Sequence, residues 1–124
     1  MSGKDSTENL RGAVDCSVLA QICDGDSAFE RRVLGNFRRA AETDAARLRE
    51  AVARTDLAGV TRVSHSIKGA SLTIGAGRLA NVCERIEDAG RAAEWNTILA
   101  NIPIFDREID RVYAYIDSRP APAA

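Results

Sequence analysis

An all-α fold is predicted by three features of the 124-residue chain: abundant alanine with only three prolines, apolar residues recurring at three- and four-residue steps, and no run of alternating β-branched residues. The expected architecture is an antiparallel up-down-up-down four-helix bundle with a short additional N-terminal helix, since short links force successive helices antiparallel and each has one apolar stripe to bury. The length suits one domain with a real core and is too short for two. Its expected extent is 13–117, between a polar arm over 1–12 and a Pro/Ala tail over 118–124.

The short first helix is expected over about Val14 to Cys23, with Asp15 near its start and the Asp24-Gly25-Asp26 turn at its end. Asp26 or Ser27 then caps a long second helix, whose inward positions read as Phe29, Val33, Phe37, Ala41, Leu48 and Val52. Thr55 or Asp56 caps a third helix that runs to about Ile74, where Gly75 takes the left-handed conformation that stops it. Its stripe is Leu57, Val60, Ser64, Ile67, Ser71 and Ile74. The fourth helix, from about Gly77 to Gly90, buries Leu79, Val82, Cys83 and Ile86. The fifth starts around Asn96 and turns Ile98, Leu99, Ile102, Phe105, Ile109, Val112 and Ile116 inward, with Pro103 kinking it or delaying its regular start.

Seventeen basic and 18 acidic residues, interspersed, leave a net charge of −1, which removes the electrostatic footprint of a nucleic-acid binder. No stretch is apolar enough to span a membrane and the opening residues are too polar for a signal peptide, so a cytoplasmic chain with no membrane contact is expected. Cys16, Cys23 and Cys83 are an odd number without a Cys-x-x-Cys pair and read as reduced thiols. With a single histidine beside them, no metal site is expected.

That histidine is His65. At about 100° per residue it falls roughly 120 to 130° from the centre of the third helix's stripe, so its ring should lie at the surface. Lys68 at i+3 and Gly69 at i+4 flank it, and Leu72 lies on nearly the same line. Only two of the 17 basic residues are lysine, Lys4 and Lys68. A mid-helix glycine costs about 1 kcal/mol relative to alanine, so the missing Cβ at Gly69 points to close approach by another backbone.

The run His65-Ser66-Ile67-Lys68-Gly69-Ala70-Ser71, followed by Gly75-Ala76, Leu79, Cys83 and Ile86-Glu87, resembles the signature of histidine-containing phosphotransfer (HPt) domains over some 23 residues. The Asp24-Gly25-Asp26 turn before a long helix and Trp95 near the start of the last one extend the resemblance across nearly the whole folded region. Ser66, Ile67, Ala70 and Pro103 are mild departures, and none removes the phosphoacceptor.

The resemblance implies a phosphorelay intermediate without kinase activity of its own. His65 accepts a phosphoryl group from a receiver-domain aspartyl phosphate and passes it to another receiver aspartate. Neutral imidazole is a competent nucleophile near pH 7, and the Lys68 cation should disfavour a second positive charge on the ring. By analogy the attacking atom is Nε2. Lys68 would stabilise charge on the phosphoryl oxygens and Gly69 would admit the receiver, which brings the Mg²⁺; no cofactor belongs to this chain. The partners implied are response-regulator receivers and a sensor histidine kinase, hybrid or not, with the chain itself a monomer. Leu72, with apolar residues of the first helix, would supply docking surface, and Arg62, Ser66, Arg85, Asp88 and Arg91 its polar contacts. The turn near Gly75 places the residues around Ile86 opposite His65, bringing Arg85, Glu87, Asp88 or Arg91 within reach of a bound phosphate, without deciding among them. Two other readings compete. The phosphoacceptor bundle of a sensor kinase needs two chains and an ATP lid; a non-catalytic helical module would dock on receivers without carrying phosphate.

Overall fold

The computed structural model of the chain describes residues 12–119. Five helices follow one another: α1 (Cys16–Cys23), α2 (Ser27–Ala53), α3 (Leu57–Thr73), α4 (Gly77–Arg91) and α5 (Trp95–Ser118). Gly12 and Ala13 are also helical. The folded part extends slightly past the expected 13–117, because α5 continues to Ser118 and Arg119 reaches back to Glu30 of α2 at 2.8 Å. The rest of the expected arm and tail, 1–11 and 120–124, lies outside the described residues.

Aspartate starts three helices. Asp15, Asp26 and Asp56 each accept a hydrogen bond from a backbone N–H of the first turn, satisfying one of the donors a helix start leaves unpaired. Every link between consecutive helices is three residues long and contains a residue with positive φ: Asp24 and Gly25, Thr55, Gly75 or Ala93. At the last three corners the chain closes a Schellman motif, with Asp56 N–H on the Ala51 carbonyl, Ala76 on Ser71 and Glu94 on Ala89. These short corners turn α2 to α5 up, down, up and down.

α3 packs most extensively on α4, and α4 in turn on α5. Gly90 makes the first approach possible, since a Cβ there would collide with the Oγ1 of Thr61. The seam between α2 and α5 is looser and is bridged by side chains: Arg38 to Asp117, Arg49 to Asp106, and Arg38 over the Tyr113 ring at 4.9 Å. α1 lies over the α3–α4 corner. The Asp15 N–H donates to the Gly75 carbonyl at 2.8 Å, and Cys16 Sγ meets Tyr115 Oη at 3.3 Å.

The inward stripes of α3 and α4 are those the spacing predicts, except that Leu57 is only half-buried. Two stripes need correction. In α2 the buried set is Leu34, Phe37, Ala41, Ala45, Leu48 and Ala51, while Phe29 is exposed and Val33 and Val52 half-buried. The small Ala45 and Ala51 hold the inward phase; Phe29, at the helix start, instead stacks under Arg32. In α5, Leu99 is exposed and Ile102 and Ile116 half-buried, and Asn101, Glu108 and Tyr115 turn inward. Local partners permit this: Asn101 donates to the Thr97 carbonyl, and Glu108 accepts from Arg111. Pro103 does not delay the helix, which is regular from Trp95. All three cysteines are free.

Candidate functional site

Midway along α3 the His65 side chain is 65% exposed, on the helix face the projection requires. Its inner atom is not free. Nδ1 lies 2.8 Å from Oε2 of Glu87, which α4 presents across the close α3–α4 seam. The Glu87 side chain is fully buried, at 0% exposure, on the same stripe as Leu79, Cys83 and Ile86. A carboxylate at that depth persists only if its charge is matched.

Three groups match it. Lys68, one helical turn after His65, places Nζ 2.8 Å from Oε1 in an ion pair. Arg91, one turn after Glu87 on α4, donates to Oε2, the oxygen that also faces His65. Burial alone would push the Glu87 carboxyl up, but Lys68, His65 and Arg91 together outweigh it and hold the group below the ordinary glutamate value. The contact with Glu87 raises Lys68 in turn, against a smaller opposing effect of burial. Cys83, buried in the same seam, is pushed up to about 12 by its desolvation and remains a neutral thiol.

This network fixes the ring chemically. A carboxylate can only accept, so Nδ1 carries a proton, and in the neutral ring Nε2 is the nitrogen with the lone pair, facing away from the Glu87 contact.

The structure brings together His65, Lys68 and Arg91, with Asp88 at the edge, 3.8 Å from Arg91. Lys68 is turned inward onto Glu87, with 21% of its side chain exposed. Gly69 is exposed, and a Cβ there would meet nothing within 4 Å, so no internal contact requires glycine. Leu72 is 57% exposed and lines a shallow groove with Val18 of α1 and Gly75. Arg62 and Ser66 lie on another side, in a polar groove between α2 and α3 where Ser66 donates to Asp44. Arg85 is exposed and belongs to neither groove. Among the described residues no three His, Cys, Asp or Glu side chains gather as a metal site, and no helix is long and apolar enough to cross a membrane.

The sequence left Glu87 undecided beside Arg85, Asp88 and Arg91 as a group in reach of a bound phosphate; in the structure it holds the ring itself. Its signal was present: it stands four residues after Cys83, so it belongs to the buried stripe, and it faces the sole histidine across an antiparallel corner.

The chain resembles known proteins in sequence and in fold. The sequence profile of the Hpt domain matches residues 32–115. Multistep phosphorelay regulator 1 of Schizosaccharomyces pombe is 31% identical over 94 residues, which is 73% of this chain and 32% of the relative. The chain thus spans about a third of that relative's length. The crystal structure of histidine-containing phosphotransfer protein B (HptB) from Pseudomonas aeruginosa PAO1 superposes with a TM-score of 0.80 at 27% identity, covering 85% of this chain and 91% of that one.

Proposed function

The chain belongs to the Hpt domain family of histidine phosphotransfer in phosphorelays, and from the geometry of α3 we propose that His65 is its phosphoacceptor, reacting through Nε2. The observation that carries this reading is the exposed ring with Nδ1 anchored on a buried carboxylate. Nε2 attacks the phosphorus of a receiver's aspartyl phosphate. The N–P bond forms as the acyl O–P bond breaks, and the aspartate leaves as a carboxylate. The reverse sequence charges a second receiver.

The residues around the ring orient it and supply charge. Glu87 holds the tautomer, which removes the wrong ring nitrogen from the reaction. Lys68 and Arg91 keep that carboxylate ionised and set two cationic groups beside the ring for the arriving phosphoryl oxygens. Gly69 adds no side chain at the point of approach, and Leu72 with Val18 of α1 offers the receiver an apolar contact. The receiver supplies Mg²⁺. Hybrid or simple sensor kinases load the upstream receiver, and the chain does not phosphorylate itself from ATP.

The test is to mix the chain with a receiver domain carrying labelled aspartyl phosphate and Mg²⁺, beside a His65→Gln variant and a sample given labelled ATP alone. Acid-labile, alkali-stable label should appear on the wild type only, and only from the receiver. A folded wild type that stays unlabelled would refute the proposal and leave a docking module that carries no phosphate.

A further inference from the structure

On the side of the bundle away from His65, the looser α2–α5 seam opens into a groove of about 340 Å³, at the small end of the range for ligand clefts. Leu34 and Ile116 give it an apolar lining, Arg31 and Arg38 flank it from α2, and Asp117 and Arg119 from the end of α5. Arg31 and Arg38 are seven residues apart, so they share one face of α2 with about 10 Å between them along the axis. Arg38 lies 4.9 Å from the centroid of the Tyr113 ring and Arg119 5.4 Å from that of Tyr115. This stacking holds both guanidiniums in place before any ligand arrives and removes part of the ordering cost of binding. The carboxylates at this end, Asp117 and Glu30, are taken by Arg38 and Arg119, and Arg31 has no ion pair among the described residues. A guanidinium carries five N–H donors, more than one carboxylate consumes. Arg119 Nε is buried with no partner among the described residues.

Gly35 lies between the two α2 arginines. Packing does not require it, because a Cβ there would meet only Arg39 Nη1, at 3.6 Å, an ordinary contact. Glycine inside a 27-residue helix is costly relative to alanine, and what it supplies here is a strip of α2 bare enough for another chain to lie against.

We propose that this groove docks an acidic, extended segment of a partner protein: carboxylates about 10 Å apart pair with Arg31 and with Arg38 or Arg119, and an apolar side chain between them rests on Leu34 and Ile116 beside Gly35. A flat anionic surface fits less well, since Glu30 and Asp117 stand among the arginines and would repel it. The chain's own residues 120–124, which follow Arg119, carry no acidic side chain. A segment held here leaves His65 open, so a receiver and this partner are bound at once.

The test is an NMR titration of the 15N-labelled full chain, to millimolar concentration, with acetyl-Gly-Glu-Pro-Leu-Glu-Gly-amide, whose glutamates are about 9 Å apart in a polyproline-like chain. Amide shifts should gather on Arg31 to Arg39 and Ile116 to Arg119, spare His65 and Leu72, and fade with added salt. The peptide with glutamine at both positions should bind about tenfold more weakly, and Arg31→Ala should weaken the acidic peptide about threefold, the size of one solvent-screened ion pair. Gly35→Leu fills the groove and should abolish binding while circular dichroism shows the helices intact. No shift at millimolar peptide would overturn the proposal, as would shifts centred on Leu72, equal binding of the glutamine peptide, or unchanged binding by Gly35→Leu. Inorganic pyrophosphate and phosphatidylglycerol vesicles are run beside the peptide. The same shifts at lower concentration from either would assign the groove to a small anion or a membrane instead. Should Arg31→Ala not fold, the glutamine peptide and Gly35→Leu decide.

Discussion

His65 is tethered through one nitrogen and open through the other, and the group that tethers it carries little signal in the sequence. The ring's exposure followed from helical rotation alone, and Gly69 from its cost in a helix, but hydrophobic periodicity does not expect a carboxylate on a buried stripe. What makes Glu87 tolerable there comes from two helices, which one sequence shows only once the α3–α4 corner is folded. Because the Glu87 carboxyl is held below its ordinary value of 4.5, its ionised network stabilises the fold at pH above that value. That contribution is lost as pH falls through the lower folded value. Thermal melts of wild type should therefore decline on acidification across this window, more steeply than those of Glu87→Gln. Gly69→Ala meets open space, so it should raise stability by up to about 1 kcal/mol in chemical denaturation while slowing phosphotransfer from a receiver. A loss of stability would mean that the glycine serves the fold rather than a visitor.

The helices themselves were legible almost to the residue because their ends carry strong local signals: aspartate caps at three starts and Gly75 at one stop. Thr55, a candidate cap by sequence where Asp56 is the cap in the structure, and Ala93, which carried no end signal, both sit at positive φ in corners of the same three-residue form. The corner geometry imposes that conformation at a cost that glycine avoids, so Ala93→Gly and Thr55→Gly should each stabilise the chain by about 1 kcal/mol in urea titrations. Gly90→Ala should do the reverse. Its Cβ would strike Thr61, costing about 1–3 kcal/mol, and Thr61→Ala in the same chain should recover most of the loss. The stripes of α2 and α5 depart from the spacing for one shared reason: some large apolar residues face outward, while Ala45, Ala51, Asn101 and Glu108 occupy the seams. Small residues bring helices close and polar ones are satisfied within their own helix, and neither is visible in a count of hydrophobic side chains.

One chain supplies all four long helices, and its close seams, α2–α3, α3–α4 and α4–α5, position the site. The α2–α5 seam stays wider and is spanned by arginines, on the side of the bundle away from the α3–α4 seam that holds His65. A self-sufficient bundle should run as a 13.3 kDa monomer in light scattering, whereas a two-chain phosphoacceptor bundle would give twice that mass. The phosphorelay reading follows from how this frame presents a single ring: an Nδ1–H buried against Glu87 and an Nε2 left to solvent and partner. The decisive measurement is the 15N and 31P NMR spectrum of the chain after incubation with a phosphorylated receiver domain and Mg²⁺. The structure predicts one phosphorus atom bonded to Nε2 of His65; phosphorus on Nδ1, or a folded chain that takes up none, would contradict it.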